Sequence, residues 1–185
     1  MMKFKTIAVA LLFALPSFMS QAAMTLTSQN VTNDQTLNNQ QLFNQWGCTG
    51  KNESPQLSWT DVPAGTKSFA VTMYDPDAPT GSGWWHWSVI NIPANVHSLA
   101  EGAGAVGGKA LPKGASMVTN DFGFKGFGGA CPPPNAKPHN YQITVYALNT
   151  ANIKLPENAS PALAGYNILA HVIGKARLVA PTNAR

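Results

Sequence analysis

The sequence predicts a mostly β protein, an antiparallel sandwich with one late helix, and three observations carry that prediction. Apolar residues alternate with a period of two over 69–74 and again over 141–148, the pattern of strands. Long stretches bearing glycine and proline, 16 and 14 of them in 185 residues, separate these runs and suit turns better than helices. A convincing helical period occurs once, near the end, behind a capping serine. There is no internal repeat, and several strands followed by a single helix point to packed sheets rather than to alternating βαβ units.

Taken in order, the chain opens with Lys3 and Lys5, an apolar stretch over 7–15, Pro16, and then Ser20-Gln21-Ala22-Ala23. Basic, apolar, then small is the layout of a secretory leader, and the apolar part is too short to span a bilayer as a helix. Cleavage after Ala22 suits the small-x-small rule, with cleavage after Ala23 as the alternative. The expected division is a cleaved leader over 1–22 and one domain over 23–185. No later run approaches membrane-spanning length, so the expectation is a soluble mature chain without a transmembrane anchor, periplasmic or secreted.

Residues 24–27 read as a short strand, followed by a polar stretch over 30–45 with Leu37, Leu42 and Phe43 as apolar anchors. The segment 54–59 alternates toward its end and reads as an edge strand, where Pro55 would be tolerated. A turn over 63–66 leads to the strand over 69–74, in which Phe69, Val71 and Met73 oppose Ala70, Thr72 and Tyr74. The next strand is expected over 87–92, stopping at Pro93. Glycine and alanine dominate 100–115, a loop without helical period.

In 122–129 the glycines permit close backbone approach, and the phenylalanines can line a wall or pack inward. Pro132-Pro133-Pro134 is a stiff extended piece. The strand over 141–148 carries Tyr141, Ile143, Val145 and Ala147 on one face. Ser160 is a suitable N-cap and Pro161 suits the first helical position. Leu163, Tyr166, Leu169, Ala170 and Ile173 then repeat at helical spacing, with Gly174 as a terminator and a last strand over 176–180 before Pro181.

Charge excludes one class of partner. The formal charge of +4 falls to +2 once Lys3 and Lys5 are removed, and the remaining basic residues are scattered singly. Nucleic-acid binding needs a concentrated basic face, so none is expected. Charged residues make up only 11% of the chain while Asn, Gln, Ser and Thr are frequent, which suits an exported surface. In that setting Cys48 and Cys131 most simply form one disulfide. A catalytic thiol competes poorly, because neither cysteine has a basic cluster or helix start beside it to lower its pKa.

The most informative stretch is 75–87, Asp75-Pro76-Asp77-Ala78-Pro79 through Trp84-Trp85-His86-Trp87, read as a rigid polar loop between two strands. Loops on rigid scaffolds concentrate binding chemistry. His139 and Tyr141 share parity at the start of a strand and can point to the same side. If these groups converge, imidazole N–H groups, the Tyr141 hydroxyl and backbone N–H groups of the glycine-rich loop would be donors toward an oxyanion. Asp75 and Asp77 could orient the imidazoles and raise the histidine pKa values. Each residue also has a plainer role: aspartates in an Asp-Pro-Asp turn commonly bond nearby backbone, and Trp84, Trp85 and Trp87 suit packing as well as ligand stacking.

Taken together, Asp75-Pro76-Asp77-Ala78-Pro79 with Trp85-His86-Trp87, and Gly126-Phe127-Gly128-Gly129-Ala130-Cys131-Pro132-Pro133 with His139-Asn140-Tyr141, resemble the phosphatidylethanolamine-binding protein family. The likeness is to its bacterial Raf-kinase-inhibitor-like, YbhB/YbcL-type branch, and it covers nearly the whole mature chain. It implies a sandwich of a larger and a smaller sheet, and a small pocket for phosphate or phosphoryl head groups. Carried over by position, the ligand-binding residues would be Asp75, Asp77, His86, His139 and Tyr141, with Gly128 in a rim over 126–131. Many members have arginine after the second histidine; Asn140 stands there in this chain and removes a bidentate oxyanion partner or a structural ion pair.

The expected function is therefore non-enzymatic binding of a small anion or phosphorylated head group, without a cofactor. The alternative is an inhibitor or interaction protein whose pocket rim contacts a kinase, a protease or a host protein. A metal-dependent hydrolase ranks below both: no His-x-His or His-Glu-x-x-His pattern sets a metal geometry, and neither a Gly-x-Ser-x-Gly elbow nor a Gly-Lys-Ser/Thr loop is present.

Overall fold

The computed structural model describes residues 23–182; the leader expected over 1–22 lies outside the described residues. The elements, in order, are β1 Thr25–Thr27, a 3-10 turn Asn39–Gln41, β2 Leu57–Thr60, β3 Ser68–Asp75, β4 Trp84–Pro93, β5 Ser98–Leu99, β6 Ser116–Met117, β7 His139–Leu148, α1 Pro161–Leu169 and β8 Val172–Thr182. They form two antiparallel sheets, β1-β2-β5 and β6-β4-β3-β7-β8. The mostly β architecture with a larger sheet, a smaller sheet and one late helix is the one the sequence predicts.

β3 lies at the centre of the larger sheet and is buried on both faces. Phe69, Val71 and Met73 join Leu26, Leu57 and Trp59 of the smaller sheet in the principal core. Ala70 faces the other way, with Ile90, Tyr146 and Leu148, under Ala164 and Ile168 of α1. The alternation over 69–74 thus separates two apolar layers rather than a core face from a wet one.

Several boundaries differ from expectation, each for a physical reason. β2 is the middle strand of its sheet, not an edge; Pro55 precedes its first residue, so no ladder N–H is lost. β4 begins at Trp84, because Trp84 and Trp85 pair with Asp75 and Tyr74, so the Trp-Trp-His run belongs to a strand and not to the loop. β8 runs from Val172 through Pro181, a proline that an outermost strand accommodates. The short strands β5 and β6 carry too few residues to show a period. As expected, 100–115 contains turns and no helix.

α1 starts where predicted, with the Ser160 hydroxyl accepting from the Leu163 N–H and Pro161 in the first turn. Its packed face is the opposite of the one the period suggests. Pro161, Ala164 and Ile168 are buried, while Tyr166 and Leu169 are 75% and 63% exposed and Ile173 belongs to β8. The buried face packs Ala164 and Ile168 against Ala70, Ile90, Tyr146 and Leu148 of the sheet. Gly165 stands beside Trp85, where an added Cβ would make an ordinary 3.7 Å contact with the ring.

Cys48 and Cys131 are joined in a disulfide across 83 residues. It ties the loop carrying Trp46 to the segment that continues into Pro132-Pro133-Pro134. Among the described residues, no helix is long and apolar enough to cross a membrane.

Candidate functional site

The site sits at one end of the larger sheet, where β3 finishes, β7 starts and β4 has just begun. Asp75 is the last residue of β3 and His139 the first of β7, and these strands are hydrogen-bonded neighbours. The His139 Nδ1–H donates to Asp75 Oδ2 at 2.7 Å, and the Asp77 N–H donates to Asp75 Oδ1 at 2.9 Å. Tyr141, two residues along β7 and therefore on the same face as His139, places its hydroxyl in the field of the same carboxylate. Asp75 thus accepts from His139 and Asp77 although only 2% exposed.

His86 reaches this group through an irregularity in β4. Met73 pairs with Trp87 and Tyr74 with Trp85, leaving His86 as an extra, unpaired residue in a β-bulge. Bulges re-aim side chains and occur next to functional sites for that reason. Here the bulge brings the His86 ring to 5.1 Å from the Tyr141 ring and 5.3 Å from the Phe122 ring, centre to centre. The His86 Nδ1–H donates to the Gly128 C=O at 2.7 Å, while the Gly128 N–H donates back to the His86 C=O at 3.0 Å. Gly128 is a backbone clamp on the imidazole. A Cβ there would lie 2.4 Å from the Phe122 ring, so the position requires glycine.

Burial governs the electrostatics. It pushes the His86 pKa down from 6.5 to about 4, against the opposing pull of the Gly128 carbonyl and the Asp75 charge. The imidazole is therefore neutral near pH 7, protonated on Nδ1, with a lone pair on Nε2. This corrects the expectation of a raised pKa for this histidine: the Asp75 charge does act upward, but loss of hydration outweighs it. Burial also pushes the Tyr141 hydroxyl upward, with the Asp75 charge adding to it, so it stays a phenol.

A cavity of about 260 Å³ opens over these groups. Asp75, His86, His139 and Tyr141 lie together at its polar end. Its remaining lining is mostly apolar: Trp46, Trp84 and Phe122, Ala78, Pro79 and Pro132-Pro133-Pro134, with Thr80 and Cys131. Phe122 centres the aromatic set, 4.9 Å from the Trp46 ring and 5.4 Å from the Trp84 ring. Two predicted residues do not line this cavity. Gly128 acts behind His86. Asp77 faces an adjoining groove with Lys137, and its Oδ2 accepts from the Asn140 N–H at 2.7 Å and the Asn140 side-chain amide at 3.1 Å. Asn140 therefore makes, with an amide, the link between loop and β7 that an arginine could make with its charge.

Sequence reasoning missed Trp46, Thr80 and Phe122 as wall residues. The signal for Trp46 was its place two residues before Cys48, since the disulfide holds that loop against Cys131. For Phe122 it was the glycine-rich context, which left open whether the ring packs inward or lines a wall; it does both. The loop over 76–83 is held by the Tyr74 hydroxyl donating to the Ser82 C=O at 2.8 Å. Gly83, at φ 70°, leaves the space that this tyrosine needs.

This arrangement has close relatives. Residues 27–183 match the family model described as phosphatidylethanolamine-binding protein. The chain is 51% identical over 175 residues to the UPF0098 protein YbcL of Escherichia coli K12, covering 94% of this chain and 96% of that one. It is 46% identical over 157 residues to YbhB of the same organism, covering 85% and 98% respectively. The crystal structure of E. coli YbcL, described as a new member of the mammalian PEBP family, superposes with a TM-score of 0.86 at 50% identity and covers 89% of this chain and all of that one. On fold and these similarities, the chain belongs to the phosphatidylethanolamine-binding protein family, in its YbhB/YbcL-type branch.

Proposed function

We propose that this protein is an exported, non-enzymatic binding protein whose cavity over Asp75, His86, His139 and Tyr141 takes a small anion or a phosphorylated head group. The observation that carries the reading is the contrast within one cavity. Four buried hydrogen-bonding side chains line the same space as a set of aromatic and proline residues. A polar head fits the first and an apolar or organic remainder the second. Asp75 acts as the support that orients His139, and Gly128 orients His86. Export is supported by the leader layout over 1–22 and by the disulfide, which persists in an oxidising compartment.

The test is titration of the protein with phosphoethanolamine while the imidazole resonances are followed by NMR. Shifts at His86 and His139 that saturate together, with His97 and His171 unmoved, support the reading. No response at either ring up to tens of millimolar contradicts it.

A second reading, contact with a target protein through the rim, draws on one feature. Trp46 is 60% exposed at the cavity mouth, beside the stiff Pro132-Pro133-Pro134 wall. Tryptophan on a rigid rim is the residue type that anchors protein interfaces. A stable complex lost in Trp46→Ala, with head-group binding retained, would favour this reading.

A further inference from the structure

Apart from the buried, unpartnered indole N–H of Trp84 in its wall, the cavity offers a ligand few side-chain donors. The His86 Nδ1–H is spent on the Gly128 carbonyl and the His139 Nδ1–H on Asp75. The Tyr141 hydroxyl lies in the field of the Asp75 charge, which favours its keeping the proton. Pro79, Pro132, Pro133 and Pro134 in the wall have no N–H to offer. What each imidazole leaves for a ligand is Nε2, and in a neutral ring protonated on Nδ1 that atom is a lone pair. A fully deprotonated oxyanion placed between the two rings would meet two lone pairs beside the Asp75 carboxylate.

We propose that an oxyanion enters this pocket together with a proton, so that the preferred ligand is a phosphomonoester or inorganic phosphate in its hydrogen-phosphate form. This inference rests on the anion-binding reading and names the ligand form that reading requires. The proton has two places to go. It can remain on the ligand as a P–OH donating to an Nε2, or it can reside on His139 Nε2. On His139, the ring would then present an Nε2–H to the ligand while its Nδ1–H keeps the 2.7 Å bond to Asp75. His86, held neutral by burial, is the acceptor for the P–OH.

The charged and titratable groups around the two rings are few. Asp75 at the end of β3 and Asp77 in the following loop favour the added proton; Lys137 before β7 and the second imidazole oppose it, and Tyr141 stays neutral. Sulfate and phosphodiesters bring no proton near neutral pH, so for them the whole proton must come from solvent onto the protein. Phosphomonoesters, with a second ionisation near about 6, bring it readily in mildly acid solution.

The experiment is calorimetric titration of the protein with sodium sulfate and with sodium phosphate, from about pH 5.5 to 8.5, in two buffers of different ionisation enthalpy. The expected result for sulfate is uptake of about one proton per bound anion and an affinity falling about tenfold per pH unit above the histidine range. Phosphate binds more tightly than sulfate at neutral pH and shows a smaller uptake after its own ionisation is subtracted. Flat pH profiles with no buffer dependence for either anion would overturn the inference and leave anion binding intact. Absence of binding by both anions at every pH would overturn the anion reading itself, and this inference with it.

Discussion

The strongest consequence of the buried bulge is an acid sensitivity confined to a defined pH window. His86 has a folded-state pKa pushed down from 6.5 to about 4 by burial. As pH falls below 6.5 the unfolded chain takes up a proton at this position and the folded chain does not, so stability declines. The decline ends near pH 4, where the folded state also binds the proton. At about 1.4 kcal/mol per pKa unit, the full window is worth about 3 kcal/mol. The perturbation that isolates it is His86→Gln, which keeps an amide able to donate to the Gly128 carbonyl but does not titrate. Urea unfolding of both proteins, followed by circular dichroism in steps from about pH 7 to 4.5, gives the two stability profiles. Below about pH 6.5 the wild type should lose about 1.4 kcal/mol per pH unit more than the variant. Titrating groups away from His86 cancel in the difference; Asp75 and His139, which interact with its charge, are the neighbours that can modify the slope. Parallel profiles would refute the reasoning, because they would mean that the folded state does not exclude the proton from His86.

Three further outcomes follow from the same framework. Replacing both cysteines, Cys48→Ala with Cys131→Ala, removes a cross-link spanning 83 residues; chain entropy puts the loss at about 4.5 kcal/mol, measurable by urea unfolding. Gly128→Ala drives a Cβ to 2.4 Å from the Phe122 ring, so it should cost about 1–3 kcal/mol and alter the near-ultraviolet dichroism of the Trp46, Phe122 and Trp84 cluster. On α1, Tyr166→Ser should change stability by no more than about 0.5 kcal/mol, whereas Ile168→Ala should cost about 2–5 kcal/mol, the reverse of what the helical repeat of large residues would suggest.

How far the fold was legible depended on whether the information was local. The alternation over 69–74 and 141–148 identified β3 and β7, and Ser160-Pro161 located the start of α1, because period and capping are written in neighbouring residues. The packed face of α1 was not, since the large apolar residues Leu163, Tyr166 and Leu169 mask the small face made by Ala164 and Gly165. That choice shows only in the packing of Ala164 and Ile168 against Ala70, Ile90, Tyr146 and Leu148, a tertiary fact. The same holds for β4: Trp84, Trp85 and His86 resemble a loop tail until pairing with β3 extends the strand.

At the site, the shared side of His139 and Tyr141 followed from strand parity, while their meeting with Asp75 was implied only by the family resemblance. The bulge that turns His86 inward left no trace in a single sequence. Charge was misjudged at His86 for a related reason, because depth of burial depends on Phe122 and Gly128, residues far along the chain. Asp77 was read as a ligand group, yet its carboxylate is taken up by Asn140, the residue whose identity had seemed only a departure.

The most direct test of the central claim is a crystal structure of the protein grown with phosphoethanolamine in mildly acid solution. The account predicts the phosphoryl group beside the buried polar side chains of the cavity, with oxygens in hydrogen-bond reach of Nε2 of both His86 and His139 and the organic end toward Trp46 and Pro133. A ligand bound elsewhere, or a cavity closed by its own aromatic side chains at saturating ligand, would contradict it.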